Sequence, residues 1–179
     1  MKPTSELRKA FYFMVNAHDG VYRKFSGLPY AHHPVAVAKI VKSKKKSHQI
    51  VKLLIAALLH DTVEDVDDIT ISTIQNEFGE LVAGLVYELT SDEEELKRLG
   101  KKIYLAKKMT KMTPWALIIK LADRLHNCSD LKNGSENFRR KYVIETRYII
   151  DTLNKNRYLS ETHKDLINLI DNKISKYEH

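Results

Sequence analysis

The segment from Gln49 to about Asp61 is apolar at nearly every position, and it limits the possible folds more than any other part of the chain. A helix that is apolar on all sides is stable only when other elements cover it. The segment therefore predicts a helix at the centre of a helical bundle. The polar residues that end it must then lie in the protein interior or in a cleft.

Composition favours helices as the covering elements. The chain has 179 residues, of which 43% are hydrophobic and 30% are charged, but only 6 are Gly and 4 are Pro. Such a composition favours a helical globular protein over a β-sandwich or a disordered chain. The length suits one domain with a sizeable core. We therefore expect an all-α fold, a compact multi-helix bundle, with residues 1–179 in a single domain.

Apolar residues at helical spacing divide the chain into segments. The spacing predicts helices at about 5–18, 34–41, 49–61, 72–78, 81–89, 91–111, 114–131, 135–153 and 160–177. The basic run 42–47 and the polar run 154–156 are predicted to be loops between helices.

Several features indicate a cytoplasmic protein without membrane association. The one cysteine, Cys128, excludes an internal disulfide, fits a reducing compartment and is interpreted as a small packing residue. No apolar stretch approaches the roughly 18 to 20 residues that span a bilayer, and the first residues lack a signal-peptide core. The net charge of +7 fits either a polyanionic ligand or a lysine-rich surface. Zinc-finger spacing and ribonucleoprotein motifs are absent from the sequence, so we do not expect nucleic acid as the partner.

His60 and Asp61 end the apolar segment and need partners, because an unpaired buried charge costs several kcal/mol or more. A divalent metal is the simplest partner. Glu64 and Asp65 follow the pair at a spacing of four residues, which on a helix brings two more carboxylates over the same place. The alternative is a core histidine bonded to a neighbouring carboxylate. The dipeptide alone is weak support, since His18-Asp19 also occurs at the predicted end of the first helix.

Two further polar residues suggest a metal site. His33 lies at the entrance of the helix that Pro34 opens, and Asp123 lies in the predicted buried helix 114–131. With His60 and Asp61 they form a set of two imidazoles and two carboxylates. Such a set suits Mn²⁺, Fe²⁺ or Zn²⁺.

Three motifs follow one another in an order that resembles the hydrolase domain of the RelA/SpoT family, within the HD-domain superfamily. They are Gly-x-Pro-Tyr-x-x-His-Pro at 27–34, Ala-x-Leu-Leu-His-Asp-Thr-Val-Glu-Asp at 56–65 and Lys-Leu-Ala-Asp-Arg-Leu-His-Asn at 120–127. The chain most closely resembles the stand-alone small alarmone hydrolases of the metazoan SpoT-homologue type. The resemblance covers roughly residues 11–131 well and the last third loosely.

The resemblance implies that one Mn²⁺ is held by His33, His60, Asp61 and Asp123. A single ion also agrees with the absence of any histidine between Asp61 and Asp123, where two-metal relatives carry additional histidines. The resemblance further implies that Glu64 and Asp65 position or deprotonate the attacking water.

The implied substrate is a small-molecule nucleotide, guanosine 3′-diphosphate 5′-di- or triphosphate (ppGpp or pppGpp), cleaved to GDP or GTP and pyrophosphate. For Lys101 a solvated helix face is an alternative to a phosphate contact. The residues expected to contact the nucleotide are Arg23, Lys24, Asn127, Lys101, Arg139 and Tyr142.

The chain departs from the family pattern at two places. Cys128 and Ser129 stand where the family usually has a hydrophobic residue and Arg, which puts salt bridges around the Asp123 helix in doubt. The run 19–22 replaces the usual Gly-Gln before the basic pair, so base selectivity can differ. Hydrolysis of an adenine alarmone, a nicotinamide dinucleotide phosphate or a deoxynucleotide, and a non-catalytic nucleotide-sensing module, are therefore alternatives.

Overall fold

The computed structural model describes residues 4–177, and its regular elements there are helices. A single isolated β-bridge, between Tyr22 and Pro29, is the only extended pairing in that range. The all-α prediction is thus confirmed. The α-helices are α1 Ser5–Ala17, α2 His32–Lys44, α3 Ile50–Leu59, α4 Thr62–Asp65, α5 Ile71–Phe78, α6 Glu80–Leu89, α7 Glu93–Leu99, α8 Lys101–Lys111, α9 Pro114–Asp130, α10 Glu136–Asn156 and α11 Glu161–Ile174, with 3₁₀ turns at Leu131–Asn133 and Ser175–Tyr177.

The chain divides into two compact units between Thr90 and Ser91. The first unit contains α1 to α6 and the second contains α7 to α11. That residues 1–179 form a single domain stays a prediction. No helix within residues 4–177 is long and apolar enough to cross a membrane.

In the first unit, α3 is the central helix. Every residue from Leu53 to Leu59 is buried, and α3 packs against α1, α2 and α6. Full burial of one leucine or isoleucine side chain contributes about 1.5 to 3 kcal/mol, so this helix anchors the core of the unit. The prediction of a central apolar helix is confirmed, and its last buried residues fix the place of the polar pair that follows.

In the second unit, α9 is the main buried helix. It packs against α11, while α10 packs against α8. The apolar run Leu117, Ile118, Ile119 and Leu121 is almost fully buried and fixes the rotation of α9. Asp123 therefore follows directly after a core segment, as the sequence predicted.

Several predicted helix boundaries differ from the structure, including the start of α2 at His32 rather than at Pro34. The predicted helix 91–111 is broken at Gly100, whose φ of 75° lies in the left-handed region that favours glycine. Helix α10 continues through Asn156, because Arg157 rather than the polar run before it ends the helix. Helix α2 extends to Lys44, so part of the predicted basic loop is helical.

Cys128 is a packing residue, as the sequence indicated. It is 1% exposed on the buried side of α9. Burial raises the pKa of its thiol to about 12, because the thiolate would lose its hydration in the core. The thiol is thus neutral at physiological pH and has no place in a metal site.

Candidate functional site

His60 and Asp61 lie at a break between two helices and not inside one helix. Helix α3 ends at Leu59, and α4 begins at Thr62. The backbone oxygen of Asp61 accepts bonds from the N–H groups of Glu64 (3.1 Å) and Asp65 (2.9 Å). The predicted helix 49–61 therefore ends before His60. The helical spacing that relates Glu64 and Asp65 to this pair does not belong to one continuous helix, and Asp61 forms the start of α4.

The ring of His60 is held in one tautomer. Its Nδ1 lies 2.9 Å from the backbone oxygen of Ala57, which can only accept, so Nδ1 carries the proton. In the neutral ring Nε2 then has a lone pair, and it lies 3.0 Å from Oδ2 of Asp61. Two electron-rich atoms at this distance repel each other unless a proton or a cation binds to them. A metal ion bound to both would remove that repulsion.

His33 joins the same group from the entrance of α2. It is 1% exposed, and its Nε2 lies 3.5 Å from Oδ2 of Asp61. Its ring centroid is 5.2 Å from that of His60, and the two side chains offer ligand atoms within 4.8 Å of each other. Two neutral imidazoles and a carboxylate form a donor set that fits a borderline divalent ion. The structure thus brings together the three predicted ligands that belong to the first unit.

Tyr30 orients the carboxylate of Asp61. Its hydroxyl donates a 2.6 Å bond to Oδ2 of Asp61, and its ring lies edge-on to His33 at 5.8 Å. A hydrogen bond to a ligating carboxylate fixes its orientation. Tyr30 was not among the site residues predicted from the sequence, because a tyrosine in a loop gives no signal of which oxygen its hydroxyl will reach.

The loop before α2 places the predicted basic pair. The N–H of Arg23 donates to the oxygen of Leu28 (2.8 Å), and Gly27 closes the turn with φ 67°. The guanidinium of Arg23 lies 5.9 Å from the ring of Tyr30, so this residue is next to the His33 and Asp61 group. Lys24 is exposed on the same loop.

His18 is a site residue that the sequence analysis did not select. It is 4% exposed, its ring stacks on Tyr30 at 4.6 Å, and its Nδ1 lies 3.0 Å from the oxygen of Met14. Its Nε2 lies 3.3 Å from Oδ2 of Asp65, the distance of an ion pair without the alignment of a full hydrogen bond. The available signal was an imidazole at the end of the apolar face of α1. Because many helices end in this way, the signal does not indicate a functional site.

The pKa of His18 is expected to be above its ordinary value of 6.5 in the metal-free protein. Burial lowers this pKa, but the contacts with Asp65 and the Met14 oxygen and the negative charge of Asp61 outweigh burial. Protonated His18 therefore stabilises the fold below the unfolded pKa, and this stabilisation is lost as the pH rises through the native pKa. An NMR titration of the imidazole carbon resonances measures this pKa.

The variant Asp65→Asn should lower the His18 pKa, because it removes a negative charge 3.3 Å from Nε2. Glu64→Gln is the matched control on the same helix and should leave the His18 pKa unchanged. A native pKa below 6.5 would contradict the assigned contact.

In the second unit, the carboxylate of Asp123 is held from both sides within α9. Asp123 is 7% exposed, its Oδ2 lies 3.0 Å from Nζ of Lys120, and its Oδ1 accepts a 2.6 Å bond from Asn127. The adjacent positive charge favours the ionised carboxylate that a metal ligand needs. Asn127, predicted to contact the nucleotide, here orients Asp123.

Arg124 forms a buried network next to Asp123. It is 5% exposed, donates 2.8 Å bonds to Thr146 and Glu145, and lies 4.9 Å from the ring of Tyr142. The ion pairs around α9 therefore come from Lys120 and Arg124, although the family's Arg is replaced. Ser129, which stands in its place, donates to the oxygen of Leu125 in its own helix.

The remaining predicted nucleotide contacts of the second unit face different neighbours. Tyr142 packs on Arg124, whereas Arg139, one turn earlier on α10, donates a 2.6 Å bond to the oxygen of Gly134 and lies 5.8 Å from the ring of Tyr177. Lys101 is exposed at the start of α8. The structure does not bring these three together within the unit.

Comparison with known proteins assigns the family. The HD domain family matches residues 10–158, which is most of the chain. The chain belongs to the HD-domain family.

Individual relatives narrow the comparison to one kind of hydrolase within this family. The chain is 36% identical over 169 residues to the human guanosine-3′,5′-bis(diphosphate) 3′-pyrophosphohydrolase MESH1, covering 90% of this chain and 93% of that protein. It is 39% identical over 153 residues to the bifunctional (p)ppGpp synthase/hydrolase SpoT of Escherichia coli K12, covering 82% of this chain but 21% of that protein. Among solved structures, a metazoan orthologue of SpoT that hydrolyses ppGpp matches with a TM-score of 0.82 at 26% identity, over 99% of this chain and 98% of that one. The resemblance inferred from the three motifs is confirmed.

Proposed function

We propose that this protein is a manganese-dependent 3′-pyrophosphohydrolase of ppGpp and pppGpp. The observation that carries the proposal is the contact of the His60 Nε2 lone pair with Oδ2 of Asp61, next to His33, in a chain similar over its length to ppGpp hydrolases. Water adds to the phosphorus of the 3′-diphosphate while the bond from that phosphorus to the ribose 3′ oxygen breaks. The products are GDP or GTP and pyrophosphate.

One Mn²⁺ is the proposed cofactor, with His33, His60, Asp61 and Asp123 as its ligands. Support comes from the donor geometry of the first three and from the burial and ionic surroundings of Asp123 in the second unit. The assignment of Asp123 rests on the third sequence motif. When bound, the ion lowers the pKa of a water ligand and neutralises phosphoryl charge.

Glu64 and Asp65 are the proposed proton acceptors for the attacking water. Both are carboxylates on the exposed side of α4, directly after the ligand Asp61. Nε2 of His18 lies 3.3 Å from Oδ2 of Asp65, which holds this carboxylate in place on α4. The proton that leaves the water then has to reach the 3′ oxygen of the departing nucleoside.

The nucleotide is proposed to be held by cationic and polar residues. Arg23 is placed beside Tyr30 by its loop, and its charge favours the phosphates of the substrate. Asn127 is a proposed contact whose amide also donates to Asp123. The net charge of +7 favours a polyanionic substrate. The other proposed contacts are Lys24, Lys101, Arg139 and Tyr142.

A turnover assay with metal titration tests this function. Purified full chain with Mn²⁺ and ppGpp should release pyrophosphate, and removal of the metal with EDTA should abolish release until Mn²⁺ is restored. Lack of pyrophosphate release with every divalent metal tested would refute the proposal.

A nucleotide panel tests the substrate assignment. It should include ppGpp, its adenine analogue, NADPH and a deoxynucleotide triphosphate, each at the same concentration. We expect the highest kcat/KM with ppGpp. A higher value for any other member would assign the activity to that nucleotide instead.

A further inference from the structure

A basic cleft lies on the second unit between α10 and the last described 3₁₀ turn. Its volume is about 760 Å³, which is in the usual range for small-molecule sites. Its lining contains four cations and one carboxylate, and its remaining residues are apolar or aromatic. The lining residues are Glu136, Arg139, Arg140, Val143, Ile144, Arg147, Lys176 and Tyr177.

The cations are spread along the cleft. Arg140 and Arg147 are separated by two turns of α10, which corresponds to a rise of about 10 Å. Arg147 is paired with Asp171 of α11, and the guanidinium of Arg139 is fixed by its bond to Gly134. A row of this length exceeds the size of one phosphate group and matches a chain of two or more.

An aromatic ring lies at one end of this row. The charged groups of Arg139 and Lys176 lie 5.8 Å and 5.2 Å from the ring centroid of Tyr177. Val143, 5% exposed, and Ile144, 51% exposed, add apolar surface. Such a combination can bind phosphates through the cations and a nucleoside through the ring.

We propose that this cleft is a binding site for a small polyphosphate anion, which carries two or more phosphoryl groups. Arginine suits this role because its planar donors bind phosphate oxygens in pairs. None of the predicted metal ligands or proton acceptors lines the cleft, and Arg139 is the one lining residue also predicted to contact the substrate. The ligand is either a nucleotide or an inorganic oligophosphate.

Isothermal titration calorimetry of the full chain with tripolyphosphate, in buffer free of divalent metal, tests this site. We expect the double variant Arg140→Gln/Lys176→Gln to weaken binding about tenfold or more, because charge-assisted contacts to phosphate are strong. The matched control is Lys141→Gln/Lys155→Gln, which removes the same charge from exposed positions of α10 outside the cleft. The control should bind within about twofold of the unchanged chain.

Equal weakening by the two double variants would show general charge attraction and overturn the proposal. Wild-type affinity in Arg140→Gln/Lys176→Gln would overturn it as well, and so would the absence of binding by the unchanged chain. Titrations with GDP and pyrophosphate identify the source. Tighter binding of GDP that Tyr177→Leu abolishes supports a nucleotide, and equal affinities support an inorganic oligophosphate. Turnover of ppGpp by Arg140→Gln/Lys176→Gln should stay within about twofold of wild type, which separates this site from the proposed activity.

Discussion

Replacing His60 with Ala is expected to lower kcat/KM for ppGpp by about 10³-fold or more. The variant removes a ring nitrogen that lies 3.0 Å from Oδ2 of Asp61 and thereby one of the proposed metal ligands. A bound divalent ion contributes several kcal/mol of transition-state stabilisation, and each 1.4 kcal/mol corresponds to about tenfold in rate. Steady-state kinetics with saturating Mn²⁺ measure the loss, and calorimetric titration with Mn²⁺ measures the weakened affinity.

Two further variants separate loss of the site from loss of the fold. His48→Ala is the matched control, because this histidine is exposed and belongs to no predicted site, and its kinetics should not change. Tyr30→Phe removes the 2.6 Å bond to Asp61 and keeps the ring, and it should reduce activity by about 10- to 100-fold. Unchanged kinetics in both His60→Ala and Tyr30→Phe would exclude a catalytic role for this group.

Replacing Arg124 with Met is expected to lower the free energy of unfolding by about 3 kcal/mol, because breaking a buried ion pair leaves the partner uncompensated. The partners that lose their bonds are Glu145, with its side chain 14% exposed, and Thr146, which is fully buried. Urea denaturation followed by circular dichroism measures this change at constant pH.

Arg98→Met is the control for the arginine replacement. Its guanidinium pairs with Glu95 on the surface of α7, and its side chain is 66% exposed. Exposed ion pairs contribute about 0 to 1 kcal/mol, so this variant should be close to wild type. In Arg124→Met/Glu145→Gln the uncompensated charge is gone, and part of the stability should return. A loss below 1 kcal/mol in Arg124→Met would show that the network is not a source of stability.

The sequence was sufficient for the fold class and for the centre of the site. The all-round apolar character of Leu53–Leu59 predicted a buried helix, and a buried helix that ends in an imidazole and a carboxylate predicted a polar cluster at its end. His33 was found from its place beside Pro34, which predicted a helix start at the proline. The helix α2 instead begins at His32, so His33 lies in its first turn. These features depend on local patterns alone.

The features that the sequence did not predict are breaks in the backbone and the directions of side chains. The break at His60 and Asp61 contains neither Gly nor Pro, so helical spacing was extended across it. His18 could not be separated from an ordinary helix end, because its role comes from Tyr30 and Asp65, which are 12 and 47 residues away in the chain. Likewise, the spacing of Arg139 and Tyr142 is one helical turn, yet they contact different neighbours.

Asp61 makes one set of contacts with its side chain and another with its backbone. Its Oδ2 contacts Tyr30 and His60, while its backbone oxygen holds the first turn of α4 and thereby Glu64. In the proposed enzyme, a ligand of the ion and the start of the helix that carries the proton acceptor are therefore one residue. Exchange of Mn²⁺ for an ion of another radius would thus reposition the base. The choice of metal would then change kcat as well as the affinity for the metal.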